Sequence, residues 1–413
     1  MGKYYILYNH RRLKEMLNEK IIELGKNSSE IRELSEYGDK RKAEIGAEKV
    51  FDFSIGSPNV PCPDRVTQDY IDILEKGDAA AIHGYTPAPG SMETRKAVSG
   101  YINERYGIDC RPEDFYMTAG AAASLAITLK AVCGRGSQVI VLAPYFPEYK
   151  VFIENAEAET IEVSLDQESF QPDFEAMSEA LNEKTAAVIV NSPNNPTGAL
   201  LSEESLRKLS SMLMEAQNKF GTEIFLISDE PYRELVYDGA KLPLPLDYYN
   251  NTIVCYSYSK SLSLPGDRIG YIMVSPKADR RKDVFTAICG GGRSLGYICA
   301  PGLAQQVVAM NQGVTSDIEK YAENRDLIYD IIKKCGFETV YPAGAFYLFV
   351  KSPSGDGREF SERAKNHELL LVPSDSFGMK GYVRISYCVS REQIEKSAPA
   401  FRALAAEYGL VNN

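Results

Sequence analysis

Tryptophan is absent from the 413-residue chain, and histidine occurs only three times, at His10, His83 and His367. The three are too far apart for a zinc motif, and nothing reads H-E-x-x-H or C-x-x-C, so the sequence offers no metal-ligand pattern. Basic residues are also in the minority: 46 Lys plus Arg against 57 Asp plus Glu give a net charge of −11. That argues against nucleic acid or anionic membrane as a partner, because both need a concentrated positive field. No apolar run approaches the ~18–20 residues of a spanning helix, and Met1 to Arg12 has no apolar core followed by small residues. The eight cysteines are scattered, several in apolar runs such as Ile253 to Tyr256. Buried thiols in a reducing, cytoplasmic setting fit this better than a disulfide framework. Repeats and low-complexity linkers are missing too.

What is present has the composition of an ordinary globular protein, 44% hydrophobic and 25% charged. Residues 11–45 are polar and helix-rich, with a break at Gly25 and a restart marked by Asn27 and Glu30 at capping-box spacing. Residues 1–50 are therefore read as a helical arm that contributes to a smaller domain. From 51 to 300, short β-branched runs alternate with amphipathic stretches. They predict strands at Phe115–Thr118, Gln138–Ala143, Thr185–Asn191, Glu223–Ser228, Thr252–Ser257 and Ile269–Val274. Strands buried on both faces and separated by helices indicate an α/β domain, a mostly parallel sheet sandwiched by helices. From 301 to 413, helices at Leu303–Asn311 and Ser316–Lys334 precede strands at Phe346–Val350, Leu369–Val372 and Tyr382–Tyr387 and a closing helix near Arg391–Tyr408. This is a smaller α+β domain.

Ligands of open α/β sheets bind beyond the carboxyl ends of the strands, so the residues that follow each predicted strand are the first to weigh. Asn191-Ser-Pro-Asn-Asn195-Pro-Thr-Gly198 follows one strand, Asp229-Glu-Pro-Tyr232 another, and Ser257-Tyr-Ser259-Lys260 a third. Each alone has a plain structural reading: a Pro/Gly turn, a helix cap, a solvated loop lysine. Together they supply an amine, a carboxylate and hydroxyl donors at one sheet edge. Pyridoxal phosphate requires this set: an amine for a Schiff base, a carboxylate for the pyridine nitrogen and donors for the phenolic oxygen. A phosphate cradle is legible at Thr118-Ala-Gly120-Ala121-Ala122-Ala123, where a strand opens into an apolar helix and backbone N–H groups and the helix dipole favour an anion. Tight helix–sheet packing explains the same small residues. Ser257, Ser259 and Arg268 would complete the cradle.

The stretch Ser257-Tyr-Ser-Lys260-Ser-Leu-Ser-Leu-Pro-Gly-Asp-Arg268-Ile-Gly-Tyr271 resembles the cofactor-lysine segment of the class I/II pyridoxal-phosphate aminotransferases, the aspartate aminotransferase family of fold type I. The resemblance runs from about Phe53 to Tyr387. It takes in Gly56-Ser-Pro58, Tyr85-Thr-Pro-Ala-Pro-Gly90 with Arg95, the Asn-Asn-Pro-Thr-Gly block, Asp229 to Tyr232, Pro342-Ala-Gly-Ala-Phe-Tyr347, and Pro373 to Arg384. It implies pyridoxal 5′-phosphate as cofactor and Lys260 as the residue that forms the internal aldimine and moves the proton between Cα and the cofactor. Asp229 would pair with the pyridine nitrogen, Asn195 and Tyr232 would bond the phenolate, and Phe146 would stack on the ring. Backbone of Ala121 and Ala122, with Ser257, Ser259 and Arg268, would hold the phosphate, and Tyr85 would reach the phosphate of a partner subunit. Arg384 would clamp the substrate α-carboxylate by its planar fork, with Gly56 lining the same end.

The implied reaction is ping-pong transfer of an amino group from aspartate or an aromatic amino acid to 2-oxoglutarate, in a homodimer with shared sites. Arg293, in Gly290-Gly-Gly-Arg-Ser-Leu-Gly296, stands close to where a substrate arginine of the partner sits in some relatives. The flanking glycines read equally as a loop with a surface arginine. The same lysine, aspartate and arginine also serve β-elimination on this fold, as in C–S lyases. A non-catalytic effector-binding module would need a basic DNA-binding segment ahead of the α/β domain, and residues 1–50 show no helix-turn-helix.

Overall fold

The computed structural model describes residues 17–26 and 30–411. Its strands are β1 (Phe51–Asp52), β2 (Phe115–Thr118), β3 (Gln138–Ala143), β4 (Glu159–Ser164), β5 (Thr185–Asn191), β6 (Phe225–Asp229), β7 (Thr252–Ser257), β8 (Gly270–Val274), β9 (Tyr347–Lys351), β10 (Leu369–Leu370), β11 (Val372–Pro373) and β12 (Tyr382–Ser386). Seven of them form one sheet in the order β2-β8-β7-β6-β5-β3-β4. Only β8 runs against its neighbours, antiparallel to both β7 and β2. The mostly parallel sheet expected from the sequence is thus present, its central strands buried on both faces by helices such as Ala121–Val132 and Glu203–Phe220.

The edge strand β4 was not read from the sequence. It alternates Glu159, Glu162 and Ser164 with apolar residues and leaves its outer side exposed, where charges deter pairing with another chain.

A second body is built on the antiparallel sheet β11-β12-β9 and the short parallel pair β1 with β10. Its core joins Phe53, Tyr321, Ile328, Phe346, Leu348, Val383 and Phe401. Phe51 to Phe53 therefore belong with this body and not with the large sheet, since among the described residues β1 pairs with β10 alone. The helix Gly302–Met310, expected to open the small domain, packs Ala304, Val307 and Val308 into a core with Val66, Val98 and Ile102. In packing terms the chain leaves the large body at the 311–317 connection, not at 301.

The N-terminal helices run Glu19–Lys26 and Glu30–Ile45. Gly25 lies inside the first of them and does not break it, and Asn27 of the anticipated capping box lies outside the described residues. Leu34 of the second helix packs with Val50, Leu370, Val372 and Phe377, which seats this helix on the small body. Among the described residues no helix is long and apolar enough to cross a membrane.

Candidate active site

The carboxyl ends of β2, β3, β5, β6 and β7 converge on one edge of the large sheet, and each delivers a residue to the same place. Because β8 runs in the opposite direction, its entrance lies at this edge too, and Arg268 arrives two residues before it. The result is a cavity of about 300 Å³ lined by Ala121, Ala122, Phe146, Asn195, Asp229, Tyr232, Ser257, Ser259, Lys260 and Arg268 from the large body. Gly56, Tyr347 and Arg384 close it from the other side.

Gly120 makes the turn from β2 into the helix Ala121–Val132 with φ 86°, a left-handed conformation that costs glycine nothing. A Cβ there would lie 2.6 Å from Arg268 Nη2, so the missing side chain also lets the guanidinium settle over the helix start. Arg268 donates from Nη2 to Ala119 O at 3.0 Å and from Nη1 to Pro265 O at 2.9 Å. The Ser257 and Ser259 hydroxyls are 2.7 Å apart beside it. Free N–H groups of a helix start, two hydroxyls and a guanidinium are the donors a phosphate monoester needs.

Asp229 is the last residue of β6 and is buried. Its Oδ2 accepts from Tyr149 Oη at 2.5 Å, while its Oδ1 is buried with no hydrogen-bond partner among the described residues. Burial pushes the carboxyl up to about 7, the Tyr149 hydrogen bond opposing the shift. An orphaned carboxylate oxygen in such a setting calls for a donor from a ligand, preferably a cationic N–H. A protonated pyridine nitrogen fits that need, and the chemistry of the surrounding donors fits the rest of pyridoxal phosphate.

Lys260 Nζ donates to Gly56 O at 2.6 Å and stands 5.3 Å from the Phe346 ring centre. Burial lowers its pKa to about 8, and the charges of Arg384 and Arg268 push the same way. Arg384, on β12, is fully buried: Nη1 donates to Asn195 Oδ1 at 3.1 Å, Nη2 to Ser54 O, and Nε has no hydrogen-bond partner among the described residues. The guanidinium lies over the Tyr347 ring at 4.7 Å, and Tyr347 Oη is 2.8 Å from Tyr232 Oη. A buried cation with an unspent donor is poised for a carboxylate.

Residues 48–401 match the family model for aminotransferase class I and II. The chain belongs to that family. It is similar to an amino transferase of Eubacterium rectale whose crystal structure superposes with a TM-score of 0.93 at 48% identity, covering 95% of this chain and 99% of that one. It is 31% identical to an aspartate aminotransferase of Pyrococcus horikoshii over 376 residues, 89% of this chain and 92% of the relative. It is 28% identical to aromatic-amino-acid aminotransferase 2 of Thermococcus litoralis over 398 residues, 93% and 97% of the two. As a member of the family it is a pyridoxal-phosphate-dependent aminotransferase of fold type I, and the cavity described above has the donors to hold that cofactor.

Two residues singled out from the sequence lie away from this transaminase's cavity. Tyr85 is 99% exposed, and Arg293 is exposed in the last turn of the helix Arg281–Leu295. The loop anticipated around Arg293 is thus helix. Two of its glycines serve close packing: a Cβ at Gly291 would lie 2.8 Å from Ile127 O, and one at Gly292 would lie 2.3 Å from Tyr116 Oη.

Three contributors were not singled out from the sequence. Tyr149 sits three residues beyond Phe146, at a spacing that turns it under Asp229. Tyr347 ends the Pro342 to Tyr347 motif, and Ile31 reaches the cavity from the N-terminal helix. Nothing local marks Ile31, because only the docking of its helix brings it there.

Proposed function

We propose that the enzyme transfers the amino group of aspartate or an aromatic amino acid to 2-oxoglutarate. In this reading the first 2-oxo acid leaves before the acceptor enters, a ping-pong order. The observation that carries it is the meeting of Lys260, Asp229 and Arg384 in one cavity. The names of the aspartate and aromatic relatives support the donor class.

When bound, pyridoxal phosphate supplies an electron sink for the charge left on Cα when a bond to it breaks. In our reading the chain's own residues do the rest. Arg384 grips the α-carboxylate through its fork and so fixes which Cα bond faces the cofactor. Lys260, with its pKa near 8, is close enough to neutrality to carry a proton from Cα to the cofactor in the first half-reaction and from the cofactor back to Cα in the second. Asp229 offers Oδ1 to the pyridine N–H, and the opposite charge brings its carboxyl back down. Asn195 and Tyr232 donate to the phenolic oxygen, Phe146 covers the ring, and Ala121, Ala122, Ser257, Ser259 and Arg268 hold the phosphate. Gly56 leaves room at the substrate end, where a Cβ would lie 2.1 Å from Tyr347 Oη.

The exposure of Tyr85 and Arg293 favours a homodimer in which each reaches the partner's site, Tyr85 for the phosphate and Arg293 for a distal carboxylate. We read the chain as an N-terminal arm, a large cofactor domain and a small domain, in the cytoplasm. The test is to add aspartate alone to the holoenzyme, then 2-oxoglutarate. One equivalent of oxaloacetate per site followed by glutamate is expected; no oxaloacetate from aspartate, together with catalytic release of pyruvate and ammonia from cystathionine, would refute transamination.

A further inference from the structure

The segment that follows β6 serves two cavities. Asp229, Pro231 and Tyr232 line the catalytic one, whereas Arg233, Glu234 and Val236 line a second of about 600 Å³. The second is walled by Tyr101 and Tyr106 at the end of the helix Met92–Tyr106, by the 240–244 loop and by the 313–318 connection between the two bodies. A smaller cavity shares Tyr101, Arg233, Glu234 and Gly313 with it and reaches Tyr256 and Tyr258. Its size is that of an ordinary small-molecule pocket.

Two carboxylates, Glu230 and Glu234, lie near Arg233 of its wall, and they are paired unequally. Arg233 is committed to Glu230, donating from Nε to Oε2 at 2.6 Å, and its Nη1 donates to Tyr271 Oη at 2.8 Å. Ser228 Oγ donates to the other Glu230 oxygen at 2.6 Å. Glu234 is the more weakly paired of the two carboxylates. Its Oε2 is shielded from water and, among the described residues, has no hydrogen-bond partner. Desolvation raises its pKa against the lowering effect of Arg233. Glu230 takes the hydrogen bonds of Arg233, so Glu234 shares that guanidinium only through space, with Tyr256 as a further partner, and an incoming cation would improve its pairing.

The surroundings suit an ammonium group: the Tyr101 and Tyr106 rings line the cavity, and aromatic faces attract cations. At the outer rim the sign reverses. Arg105 and Lys241 are both exposed there, Arg105 5.9 Å from the Tyr106 ring centre and Lys241 3.6 Å from Glu203. Carboxylate within and cations at the mouth are the complement of a zwitterion.

We propose that this cavity is a second small-molecule site that takes a free aromatic α-amino acid, its ammonium on Glu234, its carboxylate on Arg105 and Lys241, and its side chain among Tyr101, Tyr106 and Leu242. Because Arg233 and Glu234 directly continue Asp229 to Tyr232, an occupant here bears on a wall of the catalytic cavity. That position makes it an effector site, and the inference stands apart from the donor proposed above.

The experiment uses the Arg384→Ala holoenzyme treated with borohydride, so that neither the cofactor nor the α-carboxylate clamp can take the amino acid, and calorimetric titration with L-phenylalanine. One saturable equivalent per chain is expected to remain. 3-Phenylpropanoate, which lacks the ammonium, and 2-phenylethylamine, which lacks the carboxylate, should each bind roughly tenfold or more weakly. Glu234→Gln should weaken phenylalanine by a similar factor. Arg105→Ala alters an exposed side chain, keeps the test open if the first variant does not fold, and should weaken it several-fold. No binding to the blocked enzyme, or binding indifferent to Arg105→Ala and to loss of the ammonium, would overturn the proposal.

Discussion

Asp229 carries its environment in its titration. Burial moves its carboxyl from 3.8 to about 7 in the protein without cofactor. Between those values the folded form keeps a proton that the unfolded form has released. Stability of the cofactor-free protein therefore falls as pH rises through that window, by about 1.4 kcal/mol per unit. Asp229→Asn should remove this slope, so urea midpoints of variant and parent should diverge between pH 5 and pH 7.5; parallel curves would show that Asp229 does not titrate there. Lys260 acts in a separate window with the opposite sign. Its pKa is lowered from 10.5 to about 8, so the unfolded form holds the extra proton and stability rises with pH between those values. Arg384 makes a prediction of another kind. With Nε unspent and its other bonds made to Asn195 and Ser54, it is free for a group that every amino acid has. Arg384→Ala should lower kcat/KM by roughly ten- to a hundredfold for all donors alike, read in steady-state rates. A loss confined to one donor would remove it from the α-carboxylate. Lysine, aspartate and arginine were legible in the sequence because each follows a strand or stands in a motif; Tyr149 was not, since its role exists only through contact with Asp229.

At the scale of elements, the strand ends explain why distant residues meet, and the helices explain why the frame tolerates so little change. The helix Arg281–Leu295 lies against the helix Ala121–Val132 that starts at the proposed phosphate cradle, and Gly291 of the first permits the approach. Gly292→Val should drive its side chain into Tyr116 and cost about 1–3 kcal/mol of stability, seen as a lower unfolding midpoint. An unchanged midpoint would mean that the helix can move away freely. The sequence marked these glycines as a loop because three in succession usually break a helix. Close tertiary packing outweighed that preference. A similar override placed Gly302–Met310 on the large body, since an apolar helix reads the same whichever core receives it.

For the whole molecule the open question is the partner subunit. If Tyr85 and Arg293 act across a dimer, Lys260→Ala and Tyr85→Ala are defects in different contributions to each site. Mixing the two inactive variants under exchange conditions should then restore up to about a quarter of parental activity, because random pairing yields hybrids with one intact site. Activity that stays at the level of the separate variants would mean that each chain builds its site alone. The periodicity of buried strands and helices, the order of the motifs and the chemistry of Lys260, Asp229 and Arg384 were determined by the sequence itself, because they depend on local pattern and residue type. The tertiary structure alone decided that β8 runs backwards and brings Arg268 to the shared edge, that Ile31 reaches the cavity, and that Glu234 Oε2 is buried with no hydrogen-bond partner among the described residues. Each of these depends on which surfaces meet, and burial and charge balance are properties of the meeting, not of either segment.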